Sequence, residues 1–251
     1  MAMIRTCLLF FYVGLSMIFL VPFGVVCFIL SLLGLRKPMS LAMYRIAQGW
    51  AKSIIVLIGC KFTIVGQENI PKKTGICFVS NHVGYFDIVL SLASFGRPFG
   101  FIAKRELMFI PFLNIWVWLL GGYFIDRKNL RKALRTINAG IERIKNGGAM
   151  VIFPEGTRSK GRGLLPFRSG SLKLATQARA PIVPVAITGS YDVFEKTGRA
   201  QAVPVRVVFS KPIETADLTP EQRKIHLSDQ VHEIIEKALA APMEGPVKEL
   251  S

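Results

Sequence analysis

Residues 76–87 read ICFVSNHVGYFD. The opening run is apolar without alternation, as expected of a strand covered on both faces. It delivers His82, one of three histidines in 251 residues, and Asp87 follows five positions later. On a single helix the two would lie ~140° apart. They can meet if His82 sits in the turn after the strand and Asp87 in the following helix. A carboxylate on one ring nitrogen fixes the tautomer and makes the other nitrogen a better proton acceptor. The spacing alone is a weak signal, because a hydrogen-bonded structural histidine has the same pattern. Ser80 is close by, but no G-x-S-x-G elbow surrounds it, so the proton would belong to a substrate hydroxyl.

The pattern repeats outward from this stretch. KFTIVG (61–66), FGFIAK (99–104), GGYFID (121–126), AMVIFPEG (149–156), PIVPVAI (181–187) and VRVVFSKP (205–212) also read as strands. Between them, Leu130, Leu134, Ile137, Ile141 and Ile144 keep helical spacing, 172–179 is a shorter helical candidate, and Leu227, Val231, Ile234, Ile235 and Ala238 mark an amphipathic helix. Strands alternating with helices imply an α/β layer fold.

Composition bounds the partner. The formal net charge is +16, yet 51% of residues are hydrophobic, so a folded chain with an anionic partner is implied. Cys7 to Leu35 carries no charge over 29 residues, more than the ~20 needed to cross a bilayer core. Only basic residues (Arg5, Arg36, Lys37, Arg45, Lys52, Lys61) precede Glu68, which suits an anionic membrane surface. The run is too long for a cleaved leader and no A-x-A follows it. Pro22 and Gly24 can break it into two short helices, and 54–60 is too short to span; spanning and shallow insertion both stay open. The division expected is a membrane-associating helical segment at 1–60, an α/β domain at 61–241 and a loose tail at 242–251. Cys7, Cys27, Cys60 and Cys77 read as small buried hydrophobes. His226 and His232 read as solvated, and no zinc motif is present.

Other strand ends also carry charge. FPEGTRSKGRG (153–163) follows a strand directly, where ligands of open α/β sheets collect. Gly156 permits a tight turn and Arg158 offers a planar fork for phosphate oxygens. The alternative is a surface turn in which Glu155 pairs with Arg158. GGYFIDR (121–127) ends similarly, with Asp126–Arg127 as a candidate ion pair, and Lys104 follows a third strand. Together with the oily N-terminus, these ends suggest proton abstraction from an alcohol on a phosphorylated, membrane-resident substrate.

Four blocks in order then resemble the 1-acyl-glycerol-3-phosphate acyltransferases, the PlsC-type glycerolipid acyltransferases: NHVGYFD (81–87), GGYFIDR (121–127), FPEGTRS (153–159) and VPVAI (183–187). The resemblance covers roughly residues 65–209. It implies a mixed, largely parallel sheet flanked by helices. It implies His82 as general base, Asp87 as its support, and direct attack of the acceptor's sn-2 hydroxyl on the thioester of acyl-CoA or acyl-ACP, giving phosphatidic acid. Arg158, with Glu155, Gly156 and Thr157, falls at the acceptor's phosphate; Arg127 and Lys104 are further substrate contacts. No metal or cofactor is implied, the acyl donor being a co-substrate. The expected partners are lysophosphatidic acid, the donor (an acyl carrier protein among the candidates) and a phospholipid membrane, at a bacterial inner membrane with the catalytic part cytoplasmic. Related acceptors (glycerol 3-phosphate, a lysophospholipid, an ornithine lipid) and a non-catalytic binder of anionic lipid or nucleic acid are the alternatives; nucleic acid is not expected.

Overall fold

The computed structural model describes residues 1–72 and 75–242. In chain order the elements are α1 (Ala2–Leu30), α2 (Arg36–Ile58), β1 (Phe62–Val65), β2 (Ile76–Ser80), α3 (Phe86–Ser94), β3 (Phe99–Lys104), α4 (Leu113–Leu119), β4 (Tyr123–Ile125), α5 (Leu130–Lys145), β5 (Ala149–Ile152), α6 (Lys173–Ala178), β6 (Ile182–Thr188), α7 (Ser190–Val193), β7 (Val205–Phe209) and α8 (Pro220–Ala240). The seven strands form one mixed sheet in the order β1-β7-β6-β2-β5-β3-β4. Strands β2 to β6 all run parallel, and only the β6–β7 pair is antiparallel. Five carboxyl ends therefore share one edge.

The unbroken apolar runs are explained by two cores. In β2, Ile76 and Phe78 point to one face with Phe95, Phe99 and Phe209, while Cys77 and Val79 point to the other with Met150 and Ile182. Helices α2 and α3 cover the first face, and α5, α6 and α8 the second. Residues 54–58, apolar but short, end α2, and Ile54, Ile55 and Ile58 are core residues. In α5 the buried stripe is Ala133, Gly140, Ile141 and Ile144, whereas Leu130 and Leu134 are exposed. Two small residues lie on the contact face, where a search for large apolar side chains misses them.

The N-terminus is a helical hairpin. Tyr12 donates to Ser53 Oγ at 2.5 Å, and Trp50 Nε1 donates to Ser16 Oγ at 2.9 Å, so α1 and α2 run antiparallel. The break lies at a π-helical turn, Ser31–Leu35, with Gly34 at φ 96°. It does not lie at Pro22–Gly24 as expected, for α1 continues through Pro22 to Leu30. Gly24 serves packing instead: a Cβ there would lie 2.9 Å from Trp116 Nε1 of α4. Two further expectations are corrected. Cys7 is exposed while Cys27 and Cys77 are buried. His226 is solvated, but His232 packs edge-on against Phe167 at 4.9 Å. Beyond Pro242, the tail expected at 242–251 lies outside the described residues.

Candidate active site

The site assembles on the shared carboxyl edge. After β2, Asn81 grips the neighbouring strand: its Nδ2 donates to Ile187 O at 2.9 Å and its Oδ1 accepts from Ile187 N at 2.7 Å. This bidentate clamp fixes where the next residue, His82, leaves the sheet. Helix α3 opens four residues later, bringing Asp87 into its first turn. His82 Nδ1 lies 2.6 Å from Asp87 Oδ2. Oδ2 also accepts from the backbone N–H of Val83 (2.7 Å) and Gly84 (3.0 Å), and Ser190 Oγ donates to Oδ1. Two backbone N–H groups and one hydroxyl already donate to the fully buried carboxylate, which meets the ring as an acceptor too. His82 thus carries its proton on Nδ1 and presents Nε2 as the acceptor. The ring stacks on Phe153 at 4.2 Å, and its side chain stays 21% exposed, so the imidazole is oriented yet partly open to solvent.

The loop after β5 is laced to this turn. Buried Glu155 accepts from His82 N at 2.6 Å and Leu165 N at 3.1 Å. Burial raises its pKa above the ordinary carboxyl value, against the opposing effect of those two N–H groups. Ser159 N donates to His82 O at 2.7 Å and Lys160 N to Val83 O at 3.1 Å. Glu155 is therefore bound to backbone, and the alternative Glu155–Arg158 pair does not form. Arg158 instead pairs with Glu195, its guanidinium 3.6 Å above the Tyr85 ring. Glu195 also accepts from Tyr85 N.

The remaining candidates lie further along the edge. Arg127, after the outermost strand β4, reaches inward to donate to Gly156 O at 3.3 Å. Asp126 pairs with Arg105 at 2.7 Å, not with Arg127 as expected. Exposed Thr157 lies in the same turn as Arg158. Lys104 stands at the exposed end of β3, two strand spacings or about 10 Å from β2. The VPVAI block fills β6 and the core, its contribution being the Ile187 backbone that Asn81 holds. Sequence reasoning missed Asn81, Phe153, Ser190 and Glu195. Asn81 stood inside a quoted block and Ser190 three residues after one, but nothing local marks Glu195. Among the described residues no group of three metal-ligating side chains occurs.

An arrangement of oriented imidazole, carboxylate partner and nearby guanidinium can deprotonate an alcohol on an anionic molecule. Comparison with known proteins gives the family. The model of the Acyltransferase family matches residues 61–188. The 1-acyl-sn-glycerol-3-phosphate acyltransferase of Borreliella burgdorferi is 35% identical over 56% of this chain and 56% of its own length. For the Saccharomyces cerevisiae protein of that name the figures are 35%, 80% and 66%. The chain thus spans less than two thirds of these two relatives. A probable enzyme of the same name from Mycoplasma pneumoniae is 34% identical over 84% of this chain and 86% of its own. The crystal structure of the 1-acyl-sn-glycerophosphate (LPA) acyltransferase PlsC from Thermotoga maritima superposes with a TM-score of 0.78 at 28% identity, covering 94% of this chain and 95% of that one. With the family model matching half the chain and the fold shared nearly end to end, this chain belongs to the acyltransferase family.

Proposed function

We propose that this protein transfers a fatty acyl group from acyl-CoA or acyl-ACP to the sn-2 hydroxyl of 1-acyl-sn-glycerol 3-phosphate, releasing phosphatidic acid. The observation that carries this reading is the His82–Asp87 pair, its imidazole partly exposed and its turn joined to the loop that bears Arg158. His82 Nε2 takes the hydroxyl proton as the oxygen attacks the thioester carbonyl. The tetrahedral oxyanion collapses, the C–S bond breaks, and the imidazolium returns its proton to the departing thiolate. Asp87 stabilises that imidazolium. Base catalysis of this kind supplies roughly 10²–10⁴-fold, and orientation more. Arg158 is the contact for the acceptor's phosphate, with Thr157 and the Gly156 turn beside it and Arg127 at its rim; Glu155 holds the loop. Lys104 is a further contact for an anionic substrate reaching that part of the edge.

In this reading the hairpin lies in one leaflet. Helix α1 is about 43 Å long at 1.5 Å per residue, longer than a bilayer core. It is fastened to the rest of the protein from Thr6, which accepts from Ala200 N at 2.9 Å, through to Phe28, which packs on Trp118 at 5.3 Å. Its other side exposes Ile4, Leu8, Phe11, Leu15, Phe19, Val26 and Ile29, one apolar stripe along its length. A helix so attached sinks sideways into lipid and brings the carboxyl edge to the acyl chains. The proposed location is the cytoplasmic face of a bacterial inner membrane, where both donors are available. The test is acyl transfer by the purified protein, with labelled acyl-CoA or acyl-ACP offered to lysophosphatidate, glycerol 3-phosphate or a lysophospholipid. Phosphatidic acid made by the wild type and lost in His82→Ala supports the reading; transfer only to another acceptor, or none, refutes it.

A further inference from the structure

Glu195 is a nearly buried carboxylate, 13% exposed, that the chemistry above does not use. Both of its oxygens are engaged, one by the Arg158 guanidinium and the other by Tyr85 N–H at the start of α3. Room for it has been left in the chain opposite: a Cβ on Gly84 would lie 2.4 Å from Glu195 Oε2, so any larger residue there would push this carboxylate aside. The segment 190–195 touches the base's turn at two places, because Ser190 holds Asp87 while Glu195 holds Tyr85. Arg158 is meanwhile fixed from two directions, by this carboxylate and by the Tyr85 ring beneath it. A guanidinium has five N–H donors in a rigid fork. Glu195 is met by Nη1 alone, which leaves donors for a second anion.

We propose that Glu195 is a positioning residue. It fixes the Arg158 fork against the turn that carries His82, and so sets the distance between the acceptor's phosphate and the base. This rests on Arg158 being the phosphate contact. An unpaired arginine side chain would sample many rotamers, and each binding event would have to order it. With Glu195 in place the fork is ordered beforehand.

The experiment is steady-state kinetics of full-length wild type, Glu195→Ala, Glu195→Gln, Arg158→Ala and the Arg158→Ala/Glu195→Ala double variant, varying lysophosphatidate and acyl donor separately. Inorganic phosphate serves as a competitive probe of the anion site. Loss of a hydrogen-bonded charged partner predicts an acceptor KM about tenfold higher in Glu195→Ala. The phosphate inhibition constant should rise in parallel, with donor KM unchanged and kcat within about threefold. Glu195→Gln should fall between, since one amide oxygen can serve only one of the two donors. On the Arg158→Ala background the Glu195 change should add less than about twofold. Three outcomes overturn the proposal while leaving Arg158 in its role: equal effects on both substrates, additivity in the double variant, or a lower acceptor KM, which would make Glu195 a competitor of phosphate. An unchanged acceptor KM in Arg158→Ala instead refutes the phosphate reading on which the proposal stands.

Discussion

Replacing Asp87 by Asn separates the charge of the carboxylate from its shape. An amide oxygen at the Oδ2 position can accept all three N–H donors, and an amide nitrogen at the Oδ1 position can donate to Ser190 Oγ. His82 keeps its tautomer, and only the Ser190 hydroxyl proton, which Oδ1 had accepted, must turn elsewhere. Asp87→Ala would strand several buried donors at about 1–3 kcal/mol each and would confuse folding with catalysis. What Asn removes is the attraction between carboxylate and the imidazolium formed during transfer. Exchanging a charged for a neutral hydrogen bond loses about 1–2 kcal/mol. At the 2.6 Å separation, Coulomb's law with an effective dielectric constant of 20 sets a ceiling of about 6 kcal/mol. The loss must also stay within that of His82→Ala, about 10²–10⁴-fold. We therefore expect kcat to fall about 10- to 10³-fold, with acceptor KM little changed. Thiol release from acyl-CoA in mixed micelles measures it, and near-ultraviolet circular dichroism checks the fold. A folded Asp87→Asn enzyme with wild-type kcat would refute the role given to the pair.

The other predictions concern stability, pH and membrane binding. Arg206, buried in β7, donates to Ala238 O and Ala241 O at 2.8 Å and to Pro242 O, capping the end of α8; Arg206→Leu should destabilise by about 2–3 kcal/mol, read from a urea midpoint, with kcat kept. Burial raises the Glu155 pKa, so its contribution to stability is fully present below the ordinary carboxyl value and is lost as pH rises through the raised one. The melting temperature of the wild type relative to Glu155→Gln should accordingly be higher at pH 5 than at pH 8, and the opposite slope would contradict the burial argument. Gly24→Leu drives a side chain into Trp116 and should cost about 1–3 kcal/mol or more, seen as a lower melting temperature. Phe11→Asp with Phe19→Asp, both on the exposed stripe of α1, should weaken partition onto liposomes at least about tenfold, at roughly 1.5–3 kcal/mol per buried Phe side chain.

Much of the architecture was legible because a strand covered on both faces leaves a distinctive mark. All seven apolar runs became strands, and Leu227, Val231 and Ile235 became the buried face of α8. The contact of His82 with Asp87 was legible because both belong to one turn. Contacts made across the fold were not. Glu195 meets Arg158 across 37 positions, and Ser190 meets Asp87 across 103, so no local spacing announces either. Charge adjacency misled for the same reason: Asp126 found Arg105 from another strand end in preference to its neighbour Arg127. The kink was misplaced because Pro22 and Gly24 look like breakers, while the contact of Gly24 with Trp116 belongs to tertiary packing that sequence does not display.

The attachment of α1 along its whole length has a practical consequence for anyone handling this protein. Clipping off the first thirty residues would not liberate a well-behaved water-soluble domain. It would strip the cover from Trp50, Trp116 and Trp118, and would leave Phe194, next to Glu195, without its edge-on neighbour Phe10. A detergent-free preparation is better sought by recoding the outward residues of that helix to polar ones, keeping its inner seam as it is.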